Sequence, residues 1–180
     1  NQFKNKKKRV HVFGMGGSSL SSKLLAQFID PKVLNNSLFI YDNPSLINIT
    51  STLSKIKISK KDIFIFISKS GNTIETIVNA NIFIKKKDTN IFITENNKNY
   101  LHTLANNLKA EIIHHNNYIG GRYSVLSEVG MLPAELMGLN PNKFRRLNFL
   151  IKNKKFINSL VQNVSNTLHL VKKKKFNSVI

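Results

Sequence analysis

The chain has 180 residues, 41% of them hydrophobic, enough to bury the core of one domain and too apolar for a disordered segment. It has no cysteine, which excludes disulfides and thiolate chemistry, and no apolar run long enough to span a membrane. Lys and Arg number 28 against 9 Asp and Glu, a net charge of +19 that calls for an anionic partner: nucleic acid, acidic lipid or a phosphorylated metabolite.

The chain opens on "NQFKNKKKRV", a basic stretch with no apolar segment behind it, so it does not read as a signal peptide. It begins with Asn rather than Met, as expected of a piece of a longer protein. The first strand is expected at 9–13, "RVHVF", which runs into glycines. A helix follows at 19–29 and stops before Pro31. "SLFIY" at 37–41, "IFIFI" at 63–67 and "NIFIT" at 90–94 are continuously apolar, as strands covered on both faces are. Helices are expected between them at 45–56 and 73–85. A fourth helix at 100–108 leads to a fifth strand at 110–114, "AEIIH". Strands alternating with helices over short loops imply parallel strands and right-handed crossovers. The expected fold is α/β, a doubly wound five-stranded parallel sheet flanked by helices.

Beyond the fifth strand, Ser127 is placed to cap a helix with Val129, Leu132 and Leu136 on its apolar face, ended by Gly138 and Pro141. A further helix at about 154–171 carries Ile157, Leu160, Val161, Val164 and Leu168 on one stripe. The last residues, "KFNSVI", read as the start of another strand. The lysine runs, such as "KNKKKR" and "VKKKKF", sit at element ends and read as solvated faces. Aromatic residues are not interleaved with them, as a nucleic-acid stacking platform requires.

Ligands of a doubly wound sheet bind at the carboxyl ends of its strands, and three loops there have unusual composition. "FGMGGSSL" at 13–20 gives a helix N-terminus three glycines, suited to close approach of an anion. Gly14 and Gly16 also fit the first two positions of a dinucleotide fingerprint, with Asp42 as its ribose-binding acid, but Ser19 stands where its last glycine belongs. "SKSGNT" at 68–73 brings the hydroxyls of Ser68, Ser70 and Thr73 to one strand-to-helix junction. Asn72 and Glu75 there have the spacing of a capping box, so this loop is either an ordinary capped turn or an anion cradle. "IGGRYS" at 119–124 sets Arg122 behind two glycines, as a phosphate or oxyanion ligand or as a surface arginine after a turn. His114 and His115 face opposite sides of a strand with no carboxylate cluster in sequence, so no metal site is expected. His11 and Tyr123 read as packing residues.

Taken together and in order, "GMGGSS", "SKSGNTIET" and "GGRYSVLSEVGMLP" resemble the sugar-isomerase (SIS) domain of the glucose-6-phosphate isomerase family over about 10–140. The resemblance implies a flavodoxin-like first SIS subdomain at 1–140, and at 141–180 a helical connection to the start of a second, truncated one. It implies that Gly17 and Ser18 contact the sugar, and that Ser68, Lys69, Ser70, Gly71, Asn72 and Thr73 form the phosphate loop. Gly121 would line the sugar, and Arg122 would stabilise the cis-enediolate through which an aldose phosphate and a ketose phosphate interconvert.

The resemblance further implies a sugar-phosphate substrate, no cofactor, no metal, no nucleic acid and no membrane. The full-length protein would be a cytoplasmic homodimer acting in glycolysis and gluconeogenesis. The family's glutamate base, ring-opening histidine and late lysine belong to later motifs that do not occur in these residues, so the chain alone is expected to be inactive. The alternatives are another phosphosugar-binding SIS protein, either an aminotransferase or a sugar-phosphate-sensing regulator, and a basic nucleic-acid binder.

Overall fold

The structure, a computed structural model, describes residues 9–29, 37–43, 58–85, 88–140, 142 and 148–173. Strands β1 (Val10–Phe13), β2 (Leu38–Tyr41), β3 (Ile63–Ile67), β4 (Thr89–Glu95) and β5 (Glu111–His115) form one five-stranded sheet in the order β2-β1-β3-β4-β5. Every pair is parallel, with Val10 beside both Leu38 and Ile63, and Ile91 beside Glu111. Helices α1 (Gly17–Ile29), α2 (Ile74–Phe83), α3 (Tyr100–Leu108) and α4 (Glu128–Leu136) flank it, and a 3-10 turn at Gly121–Leu126 precedes α4. The expected fold class is the observed one.

The period of two in β3 sorts the core by shape. Alternate residues of a strand point to opposite faces, so "IFIFI" sends Ile63, Ile65 and Ile67 one way and Phe64 and Phe66 the other. The aliphatic face adds Val10, Val12, Ile91 and Ile93 and is covered by Ala26 of α1 and Val129 of α4. The aromatic face adds Phe13, Tyr41 and Phe92 and is covered by Phe83 of α2 and Leu101 of α3. Phe13 stacks on Phe66 at 4.7 Å and on Tyr41 at 4.4 Å between ring centroids. Each such fully buried side chain contributes about 1.5–3 kcal/mol of apolar transfer.

His11 is a core residue, as expected, and it is also hydrogen-bonded. It lies between Phe39 and Phe64, with ring centroids at 5.0 and 4.9 Å. Tyr41 Oη is 3.0 Å from Nδ1 and Asp62 Oδ2 is 3.4 Å from Nε2. These partners fit a neutral ring whose Nε2–H donates to Asp62 and whose Nδ1 accepts from Tyr41. Arg9 donates to both Asp62 oxygens, at 3.1 and 2.8 Å, and Ser59 N donates to Oδ2 at 2.8 Å. Burial pushes the His11 pKa down, opposed by the Asp62 carboxylate. Burial pushes the Tyr41 hydroxyl up.

Some boundaries move. Helix α1 begins at Gly17, two residues before the expected start, and α2 is shorter than expected at both ends. Strand β2 is an edge strand, so Phe39 and Ile40 are only half-buried rather than covered on both faces. The helix expected at 45–56 and the terminal "KFNSVI" lie outside the described residues.

The chain divides into two compact units, Asn1–Asn140 and Pro141–Ile180. The second carries α5 (Asn148–Lys152) and α6 (Lys154–Lys172), with Asn153 accepting the amide of Phe156 at 3.2 Å as the cap of α6. Its expected stripe of Ile157, Leu160, Val161, Val164 and Leu168 is present and exposed. Among the described residues, no helix is long and apolar enough to cross a membrane.

Candidate functional site

The sheet order puts a topological switch point between β1 and β3. There the connections leave toward opposite edges and open a crevice at the strands' carboxyl ends. The glycine loop after β1 and the hydroxyl loop after β3 border this crevice, and the missing side chains of the glycines let them meet. A Cβ on Gly14 would stand 2.8 Å from Ser18 Cβ and 3.1 Å from Ile67 O, the last residue of β3.

The third loop is drawn in by the same means. A Cβ on Gly17 would stand 2.0 Å from Gly121 O and 2.9 Å from Arg122 N, so these two backbones touch. Ser21 Oγ donates to Gly17 O at 2.7 Å and Ser124 Oγ to Gly121 O at 2.6 Å, and the two hydroxyls are 3.5 Å apart. Ser18 is half-buried beside them, and Arg122 projects into solvent. Gly17, Ser18, Gly121 and Arg122 are thus brought together from distant parts of the chain. Asp42 is exposed at the end of β2.

The hydroxyl loop is built differently from the expected capping box. The N-cap of α2 is Thr73, and no side chain caps it. Asn72 instead turns its Oδ1 to the amide of Tyr100 at 3.0 Å, while Gly71 O accepts from Leu101 N at 3.1 Å. The loop therefore serves as a cap for α3, and Glu75 is left out of any box. Gly71 takes φ +67, and a Cβ there would stand 1.9 Å from Asn99 Oδ1. Ser68 is buried, shares a hydrogen bond with Thr73 Oγ1 at 2.7 Å and accepts from Gly71 N at 3.1 Å. Ser70 is exposed and accepts from Asn72 N at 3.3 Å. Hydroxyls beside an uncapped helix N-terminus form a surface with spare donors, suited to an anion.

Lys69 stands apart from those hydroxyls. Its Nζ donates to Asn117 O at 2.7 Å and lies 3.4 Å from Glu95 Oε1, so the ammonium straps the hydroxyl loop to the segment ahead of Gly121. Two further expectations need correction. Tyr123 is 81% exposed, its ring lying beside Gly120 and not in the core. His115 does have a carboxylate partner, Glu128, reached across the intervening loop where sequence spacing gives no sign of it. Asn99 caps α3 and packs on Gly71, and an Asn directly ahead of a helix is the signal in sequence that points to it. One cleft of about 540 Å³ lies elsewhere, lined by Asp88–Ile91 at the start of β4 and by residues 108–111 leading into β5. It sits at the amino ends of the strands, away from the switch point.

This sheet order, with glycine, hydroxyl and arginine loops gathered at the carboxyl ends, defines a domain of the SIS type. A family model described as phosphoglucose isomerase matches residues 2–173, and the chain belongs to that family. It is 34% identical to the glucose-6-phosphate isomerase of Campylobacter jejuni over 74% of this chain and 34% of that protein. It is 35% identical to that of Methanocaldococcus jannaschii over the same shares, so the chain spans about a third of the length of these curated relatives. Its fold matches a hypothetical protein of Thermus thermophilus with TM-score 0.71 and 24% identity, over 91% of this chain and 41% of that one.

Proposed function

We propose that this chain supplies the phosphate loop and the enediolate-stabilising arginine of a glucose-6-phosphate isomerase, which interconverts glucose 6-phosphate and fructose 6-phosphate. The observation that carries the reading is the backbone contact of Gly17 with Gly121 and Arg122, which sets an arginine loop beside the switch-point crevice. The names of the curated relatives support the reaction.

In this reading Ser68, Ser70 and Thr73 hold the phosphate together with the first amides of α2, and Gly17 and Ser18 meet the sugar. Gly71, Asn72 and Lys69 shape the phosphate loop through their partners on α3, Asn117 and Glu95. The reaction moves a proton between C2 and C1 through a cis-enediolate, and charge grows on the oxygens as it forms. The guanidinium of Arg122 opposes that charge more strongly in the transition state than in bound substrate, which is what raises turnover.

The base and the ring-opening histidine are not among these residues, so the chain by itself binds phosphosugar weakly at best and does not isomerise it. Residues 1–140 form the first SIS subdomain, and residues 141–180 lead into the second. The whole protein acts as a cytoplasmic homodimer on a soluble sugar phosphate. The test is Arg122→Ala in the protein that contains this chain. Turnover should fall about 10²–10³-fold, as when an oxyanion donor is removed, with KM changed far less. Normal turnover in that variant would refute the role.

A further inference from the structure

The loop that carries Arg122 is held from beneath by a buried imidazole. His115, the last residue of β5, is 3% exposed. Its Nε2 is 3.0 Å from Ile119 O, and its Nδ1 meets Glu128 Oε1 at the first turn of α4. The ring thus has one partner on each nitrogen, the Ile119 carbonyl on the loop and the Glu128 carboxyl on α4. Ile119 O immediately precedes Gly120, Gly121 and Arg122. The carbonyls on either side of it are also anchored, Asn117 O by Lys69 and Gly121 O by Ser124. Among the described residues no hydrogen bond or ion pair holds the exposed Arg122 guanidinium, so the backbone sets the point from which it reaches.

We propose that His115, paired with Glu128, is a positioning residue that fixes the register of the Gly120–Arg122 backbone and so aims Arg122 at the end of a bound sugar opposite its phosphate. The inference rests on the phosphosugar reading above. A buried polar pair of this kind stabilises a fold little, because desolvation offsets the attraction. A water could satisfy Ile119 O equally well. An imidazole bonded at both nitrogens between β5, the loop and α4 does what water cannot: it fixes a distance between three elements.

The test titrates the chain, followed by NMR, with two probes: inorganic phosphate, and 6-phosphogluconate, whose carboxylate lies at the far end from its phosphate. The wild-type chain should bind both through residues 68–74, and 6-phosphogluconate more tightly because Arg122 meets its carboxylate. His115→Ala should cut that preference about tenfold, the low end for losing a hydrogen bond to a charged group, and leave the phosphate affinity as it was. His115→Gln, whose amide can still donate to Ile119 O, should restore most of it. Glu128→Gln, at a side chain 26% exposed, perturbs folding least and should lower the preference in the same direction. Equal weakening of both probes in His115→Ala, or an unchanged preference in Glu128→Gln, would overturn the proposal. If the wild-type chain binds neither probe, the phosphosugar reading fails first, visibly before any substitution, and this inference falls with it.

Discussion

Replacing Gly17 by alanine probes the contact on which the site depends. The added methyl would lie 2.0 Å from Gly121 O and 2.3 Å from Gly121 C, against 3.4 Å for the start of ordinary contact. The difference, 3.4 less 2.0, means that about 1.4 Å of separation must open between α1 and the Gly121–Arg122 peptide. Both sides are backbone, held by Ser21 and Ser124, so neither yields as a flexible side chain would. Overpacking of this kind costs roughly 1–3 kcal/mol. For a chain of this size that lowers Tm by roughly 2–12 °C. Gly121→Ala is the control, because a Cβ there meets nothing within 4 Å. Thermal unfolding by circular dichroism should show a fall for Gly17→Ala and almost none for Gly121→Ala. Equal Tm values for the two variants would refute the contact.

Two other outcomes follow from local geometry. Asn72→Ala should cost about 0.5–2 kcal/mol by taking the side-chain acceptor from the first amide of α3, with Asn99 still its N-cap, whereas Glu75→Ala should change stability little, since no capping box forms; denaturant unfolding of both variants checks this. The pKa of His11 is pushed below its unfolded value of 6.5, so below that pH the unfolded chain binds the extra proton first. Its contribution to stability is therefore complete above about pH 6.5 and is lost as the pH falls from there toward the lowered folded pKa. Urea titrations from pH 8 to 5 should show this acid loss, and His11→Phe should reduce it, leaving Asp62 with Arg9 and the Ser59 amide.

The sheet was legible because its information is local. "IFIFI" announces a strand buried on both faces, and the alternation of such runs with helices leaves little choice but a parallel sheet. The three loops were legible as candidates for the same reason: glycines, hydroxyls and an arginine at strand ends are odd enough to notice. What joins them was not. Gly17 meets Gly121 through the absence of side chains, and nothing in the spacing of the two glycines predicts it. His115 and Glu128 lie on different elements and meet only because β5, the loop and α4 fold back on one another. The capping box at Asn72 failed because a tertiary partner, the amide of Tyr100, competed for the same side-chain oxygen and won. Edge or centre, likewise, is set by strand order, which the apolar character of β2 does not encode.

The central claim is that the loop at residues 68–73 holds the phosphate of a sugar whose other end lies by Arg122. Titration of the chain with glucose 6-phosphate, followed residue by residue in an amide NMR spectrum, tests it most directly. The account predicts saturable shifts at Ser68, Ser70, Thr73 and Ile74 and at Gly17, Ser18, Gly121 and Arg122. Inorganic phosphate should reproduce only the first group. Shifts confined to the lysine-rich segments, or the same shifts with glucose alone, would contradict it.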